Sequence, residues 1–164
     1  MAKLRPILAK VREALFSSLG KRVEGVNFLD LYAGTGRCGL EALKKGARFA
    51  VFVEKNRLTA ERLKSTIREL GFAEKAEVLN RDVFSAIRQL KEQFDIIFLG
   101  PPYKDFLVNK TLEAISQNKL LNLEGIIIAE HHKKEAVEDK VGLFVRVKEK
   151  RYGETTLSFY AYEK

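Results

Sequence analysis

The stretch Asp30-Leu31-Tyr32-Ala33-Gly34-Thr35-Gly36-Arg37-Cys38-Gly39 decides how this chain is read. A short apolar run, Val26 to Leu29, precedes it, and a helix-like segment, Leu40 to Lys45, follows. Three glycines within six residues let the backbone turn sharply and approach a ligand closely, because glycine alone enters positive φ without a Cβ clash. A strand–glycine loop–helix unit is where α/β proteins hold nucleotide-like cofactors. Gly34-x-Gly36-x-x-Gly39 has the dinucleotide-fingerprint spacing. Glu54 follows about twenty residues beyond Gly34, where a carboxylate can accept both hydroxyls of a ribose. A tight βα turn with an unrelated glutamate is the bland reading of the same residues.

Outward from that loop the pattern alternates. Strands are predicted over 27–31, 50–54, 76–80, 95–99 and 125–130. The run over 50–54 is continuously apolar, as in a parallel strand buried on both faces. Between the strands lie helical stripes: Ala60, Leu63, Ile67 and Leu70 after the N-cap candidate Asn56, then Phe84, Ile87 and Leu90, then Val108, Leu112 and Ile115 with Asp105 as a candidate cap. An amphipathic helix over 7–19 places Leu8, Val11, Leu15 and Leu19 on one side, with Pro6 at its start and Gly20 as its stop. Residues 143–148 and 156–162 alternate apolar and polar, which predicts an antiparallel hairpin joined by Lys150-Arg151-Tyr152-Gly153. The expectation is a three-layer α/β fold of Rossmann-like type, with a seven-stranded, mostly parallel sheet and an antiparallel C-terminal hairpin. Its 164 residues suit one domain: an N-terminal helix over 1–20, a cofactor-binding core over 21–130 and the hairpin over 141–164.

Three further positions narrow the ligand. Asp30 stands at the end of the first strand, in the floor of the loop. A carboxylate there suits an ammonium group and repels a pyrophosphate, which prefers bare helix N-terminal amides. Asp82, after the third strand, can accept from an adenine amino group while Val83 offers its backbone amide; alternatively Asp82 caps the helix it precedes. These point to S-adenosylmethionine rather than NAD, with Asp30, Tyr32, Ala33, Gly34, Gly36, Glu54, Lys55, Asp82 and Val83 as the candidate cofactor set. Gly100-Pro101-Pro102-Tyr103 ends the fourth strand at the same sheet edge. The prolines remove donors and leave carbonyls able to accept from an incoming amino group. Tyr103 can stack on a flat base, or serve as a core tyrosine in a rigid turn.

The bulk properties are those of a globular chain, 46% hydrophobic and 32% charged. A net charge of +8 favours a polyanionic partner, although a solvated Lys/Glu surface of the heat-stable kind has the same composition. No apolar run is long enough to span a membrane, and the N-terminus lacks a signal-peptide core. The single cysteine, Cys38, excludes an internal disulfide and reads as a packing residue. His131 and His132 are adjacent, so their side chains diverge, and no metal site is expected. A cytoplasmic monomer is the expectation.

Arg5-Pro6 with Val11-Arg12-Glu13-Ala14-Leu15-Phe16, the glycine loop with Gly39-Leu40-Glu41-Ala42-Leu43, Pro101-Pro102-Tyr103, and Arg151-Tyr152-Gly153 with Thr155 together resemble the bacterial RsmD-type methyltransferases. That family methylates the exocyclic N2 of a guanine in 16S ribosomal RNA of the small subunit, using S-adenosylmethionine. The resemblance implies that residues 100–103 frame the target base and that Arg5, Arg12, Tyr103 and Arg151 meet the RNA. It departs at Gly100, where the family has Asp and its relatives Asn, and in the basic β segment that the family carries ahead of Arg-Pro.

Direct transfer needs no metal. Acceptors on the amino hydrogens hold a conjugated nitrogen closer to tetrahedral and aimed at the methyl group. With Gly100, only the backbone carbonyls of Gly100 and Pro101 are certain acceptors, and an Asp restored there is expected to raise methyl transfer. A weak or inactive relative that binds RNA or cofactor is the alternative that Gly100 favours. An NAD-dependent oxidoreductase is disfavoured by Asp30 and by the lack of a hydride-site acid or base.

Overall fold

A computed structural model describes residues 9–164; Arg5, Pro6 and Leu8 lie outside them. The chain runs α1 (Ala9–Leu19), β1 (Asn27–Leu31), α2 (Arg37–Lys44), β2 (Phe49–Val53), α3 (Arg57–Glu69), β3 (Ala76–Leu79), α4 (Val83–Gln89), β4 (Phe94–Leu99), α5 (Val108–Gln117), β5 (Leu121–His132), β6 (Lys140–Val141), β7 (Phe144–Tyr152) and β8 (Thr155–Tyr162). One sheet contains all the strands of the described residues, in the order β3-β2-β1-β4-β5-β8-β7-β6. β1 to β5 pair in parallel, and β8, β7 and β6 continue the sheet antiparallel. This is the expected Rossmann-like architecture with one more strand than the sequence suggested. The eighth is the two-residue β6, too short to show alternation, which is held by pairing Val141 with Phe144.

The chain leaves β1 toward β2 on one side and later places β4 on the other. That reversal opens a crevice at the carboxyl ends of β1 and β4. Period-two alternation divides the core. Phe28, Phe52, Phe98 and Ile128 pack with α1, α2 and α3 on one face. Leu29, Val51, Ile97 and Ile127 pack with α4 and α5 on the other. Asp30 and Glu130 share the face of Phe28 and Ile128, near the carboxyl ends of β1 and β5 and beneath the layer of α1, α2 and α3.

Several boundaries move. α1 buries Val11, Leu15 and Leu19 as predicted, and adds Phe16; it ends at Leu19, as expected, and Gly20 opens a 3-10 turn that follows it. β5 is twice the expected length, because Leu121 already pairs with Phe94 ahead of an irregularity in the ladder. Lys150, Arg151 and Tyr152 are not the hairpin turn but the end of β7, opposite Leu157, Thr156 and Thr155. Asp105 does not cap α5; it ends a 3-10 turn over Tyr103–Asp105, and Leu107 precedes α5 with no side-chain cap. Asn56 does cap α3, accepting from Thr59 N–H at 2.9 Å.

Candidate functional site

A cavity of about 410 Å³ occupies the crevice at the ends of β1, β2 and β4, within the size range of small-molecule sites. Asp30, Tyr32, Ala33, Gly34, Glu54, Lys55, Asp82 and Val83 all line it, on the loops after β1, β2 and β3. Gly36 does not line it. It is the left-handed residue (φ +79°) from which α2 starts, and Leu40 N–H bonds its carbonyl at 2.8 Å. Gly34, at φ +58°, turns the loop, and a Cβ there would meet nothing within 4 Å. Gly39 serves packing: a Cβ there would run into the Phe52 ring, so its absence lets α2 sit directly on the sheet.

The carboxylates are held by backbone amides. Asp30 is 2% exposed, and its Oδ2 accepts from Gly39 N–H at 2.9 Å. Burial pushes its pKa up to about 8; the Gly39 bond opposes that rise, and the nearby charges of Glu54 and Glu130 add to it. Glu54 accepts from Gly34 N–H through Oε1 and from Asn56 N–H through Oε2, both at 2.8 Å. It therefore ties the glycine loop to the β2–α3 loop, and each oxygen keeps acceptor capacity for a ribose hydroxyl. Asp82 caps α4, with Oδ2 accepting from Phe84 and Ser85 N–H at 3.1 and 3.2 Å; it also stands in the cavity wall, so the two readings of this residue are compatible.

Tyr32 supplies a wall by an unusual route. It takes a left-handed backbone (φ +62°), rare for a residue with a Cβ. Thr111 Oγ1 donates to the Leu107 carbonyl at 2.7 Å, so the Tyr32 hydroxyl donates to Thr111 Oγ1 at 2.8 Å. Burial pushes the Tyr32 pKa up to about 12, keeping that donor protonated.

Residues 100–103 divide. Gly100 and Pro102 line the cavity, whereas Pro101 is buried and Tyr103 half-buried beside it. Tyr103 is tied to β5 and β8. Its edge meets the His132 ring, with centroids 5.7 Å apart. Its hydroxyl donates to Glu130 Oε2 at 3.2 Å, which leaves the Thr155 hydroxyl as donor to Tyr103 at 2.8 Å. Tyr103 thus clasps the β4 loop to β5 and β8. Arg12 lies on α1 and Arg151 on β7, and neither lines the cavity. Arg12 Nη1 is buried and meets no hydrogen-bond partner among the described residues.

Sequence reasoning missed Glu130 and Phe106. Glu130 is a buried cavity-wall carboxylate hidden in an apolar strand run. Phe106 sits between the lining residues Asp105 and Leu107 at φ +51°, and the residue is 64% exposed. Strain together with an exposed aromatic is visible only in the fold. Cys38 is buried in the cavity wall, its thiol pKa raised by desolvation. His131 bonds Ser158 Oγ at 2.8 Å and the His132 carbonyl at 3.0 Å. Among the described residues no cluster of three or more His, Cys, Asp or Glu could hold a metal ion, and no helix is long and apolar enough to cross a membrane.

A parallel sheet with its crevice at the β1/β4 switch, a glycine loop and carboxylates on successive strand ends define a class I methyltransferase of the S-adenosylmethionine-dependent kind. The chain belongs to the RsmD-like methyltransferase family, matching the family described as "Conserved hypothetical protein 95" over residues 1–161. It is 32% identical over 159 residues to "Putative rRNA methyltransferase YlbH" of Bacillus subtilis, covering 95% of this chain and 86% of that protein. It is also 32% identical to "Ribosomal RNA small subunit methyltransferase D" of Buchnera aphidicola, covering 82% and 70%. A conserved hypothetical protein of Streptococcus pyogenes superimposes with a TM-score of 0.86 at 31% identity, covering 93% and 95% of the two chains. The fold also matches an RNA methyltransferase of Salinibacter ruber solved with S-adenosyl-L-homocysteine, at TM-score 0.73 and 15% identity over 97% and 95%.

Proposed function

We propose that this enzyme transfers a methyl group from S-adenosylmethionine to the exocyclic N2 of a guanine in 16S ribosomal RNA. The observation that carries the cofactor is charge. In a chain of net charge +8, the loops after β1, β2 and β3 bring the acids Asp30, Glu54 and Asp82 into the cavity, against Arg37 and Lys55. Such a wall selects a cation and disfavours a pyrophosphate. Asp30 would hold the ammonium group, Glu54 the ribose hydroxyls, and Asp82 with the Val83 amide the adenine; Tyr32, Ala33, Gly34 and Lys55 would complete the walls around it. When bound, the cofactor supplies an activated methyl group on a sulfonium.

The rest is positioning by this chain. Gly100 and Pro101 carbonyls stand where no proline N–H competes for them, and they would accept from the target amino group. Held so, the guanine nitrogen would be presented to the methyl group that the bound cofactor supplies, and the proton it gives up would pass to solvent. Phe106 offers an aromatic face at the rim on which a base can stack. The substrate class rests on the family, whose Buchnera member is named for the small-subunit ribosomal RNA, and on the positive charge outside the cavity. Arg5, Arg12 and Arg151 would meet RNA phosphates, and a cytoplasmic monomer acting on the small ribosomal subunit is the working picture.

Calorimetry should show saturable binding of S-adenosylmethionine and none of NAD. Radiolabelled methyl transfer should then mark assembled 30S subunits or 16S RNA and leave DNA unlabelled. Cofactor binding with no labelled RNA would favour the inactive-relative reading that Gly100 suggested.

A further inference from the structure

Residue 100 brings no side chain to the cavity, and the neighbouring strand fills the space. A Cβ built on Gly100 would stand 3.0 Å from Glu130 Oε1. Leu99 pairs with Ala129, so Gly100 and Glu130 are the next positions along two parallel strands. Alternation gives Gly100 the side of Phe98, and Glu130 that of Ile128. Both line the cavity. Glu130 is 3% exposed and its orientation is set: Tyr103 donates to Oε2 at 3.2 Å, with Thr155 behind the phenol at 2.8 Å. Its Oε1 is the oxygen on the Gly100 side.

From this placement we infer that Glu130 is a catalytic residue, its carboxylate accepting a hydrogen bond from the amino group that receives the methyl. The inference rests on the guanine-N2 reading of the site. An exocyclic amino group has two hydrogens. The backbone carbonyls at Gly100 and Pro101 can accept one, and Glu130 accepts the other. Two acceptors draw the nitrogen lone pair out of conjugation with the ring, and a charged acceptor does so more strongly than a neutral one. Gly100 is then a fit to Glu130 rather than a defect. The expectation from sequence alone reverses: an aspartate at 100 in the native background crowds a second carboxylate against Oε1 and lowers transfer.

The test moves the carboxylate between strands. Glu130→Gln and Glu130→Ala are expected to lower kcat for 30S or 16S RNA methylation by about 10²-fold, by analogy with the loss of one preorganised polar contact. Their affinity for S-adenosylmethionine should stay within about threefold, a margin well under 1 kcal/mol. Gly100→Asp alone should lose activity, whereas Gly100→Asp in the Glu130→Ala background should recover about tenfold or more over Glu130→Ala. A merely structural role for Glu130 gives no such rescue. Unchanged kcat in Glu130→Gln, or absence of rescue, overturns the inference.

A second readout needs no turnover. The protein loaded with S-adenosylhomocysteine is titrated with guanosine monophosphate and with inosine monophosphate, which lacks the amino group. The wild type should prefer guanosine by about tenfold, the worth of one charge-assisted hydrogen bond, and Glu130→Ala should show no preference. Equal behaviour of the two nucleotides with the wild type, or a preference kept by Glu130→Ala, contradicts it. If the wild type labels no RNA, the proposed function fails, and this titration still decides the role of Glu130.

Discussion

The two walls of the cavity are built differently. Apart from Tyr32, which reaches Thr111 79 positions on, the wall at β1, β2 and β3 is held together within residues 30–56: Asp30 binds Gly39, and Glu54 binds Gly34 and Asn56. The wall at β4 and β5 is made by residues far apart: Tyr103 reaches Glu130, 27 positions on, and Thr155, 52 positions on. The first wall is a cradle that one stretch of chain largely specifies. The second exists only once β5 and β8 have docked. A cofactor site can therefore be complete on a chain whose transfer site is perturbed, and the two can be broken separately.

The largest effect is expected in the first wall. Asp30→Ala removes the carboxylate proposed for the ammonium group and should weaken S-adenosylmethionine binding about 10²-fold, the scale of a buried charge-assisted hydrogen bond. Calorimetry checks this. Gly39→Ala comes next: its methyl meets the Phe52 ring, so α2 must lift, at a cost of about 1–3 kcal/mol in unfolding free energy, read by denaturant titration.

The same wall has a pH signature. Asp30 titrates near 8 in the fold against 3.8 for an unperturbed group, so between those values the native state holds the extra proton. Stability without cofactor should fall as pH rises through that interval and level off above about 8. Asp30→Asn should flatten that fall. Cofactor binding should run the other way: pairing with a cation requires the ionised carboxylate, so binding releases a proton and tightens toward pH 8. Calorimetry in buffers of differing ionisation enthalpy measures the released proton, and Asp30→Asn should abolish it.

Apart from Glu130 itself, the second wall should answer more gently and in a different observable. Tyr103→Phe removes the phenolic bonds to Glu130 and Thr155, about 1 kcal/mol in all. It should lower kcat severalfold while leaving cofactor affinity unchanged. Phe106→Ala should act least, weakening RNA binding by no more than about 1 kcal/mol, the low end of a base–aromatic stack, without moving the melting temperature. A Tyr103→Phe variant that lost cofactor affinity would break the separation between the walls.

The same contrast explains what the sequence disclosed. The strand alternation, the glycine loop and the Asp30–Glu54–Asp82 series were legible, because each depends on local turn chemistry and strand ends. Glu130 was not, because it reads as the last residue of an apolar run and gains meaning only through its register beside Gly100. Tyr103 was visible as an aromatic at the sheet edge, open to base stacking or to a core role in a rigid turn, but its hydroxyl partners lie on later strands, so the clasp appears only in the fold. β6 and the strain at Tyr32 and Phe106 arise from tertiary contact and carry no signal in composition or period.

The central claim is methyl transfer to a guanine amino group, and the nucleoside product tests it most directly. Unmethylated 30S subunits are incubated with the protein and S-adenosylmethionine, the 16S RNA is digested, and the nucleosides are identified by mass spectrometry. The account predicts N2-methylguanosine that appears with the wild type and is strongly reduced with Glu130→Gln. Methylation of a different atom or base, or none on 30S subunits and naked 16S RNA alike, would contradict it.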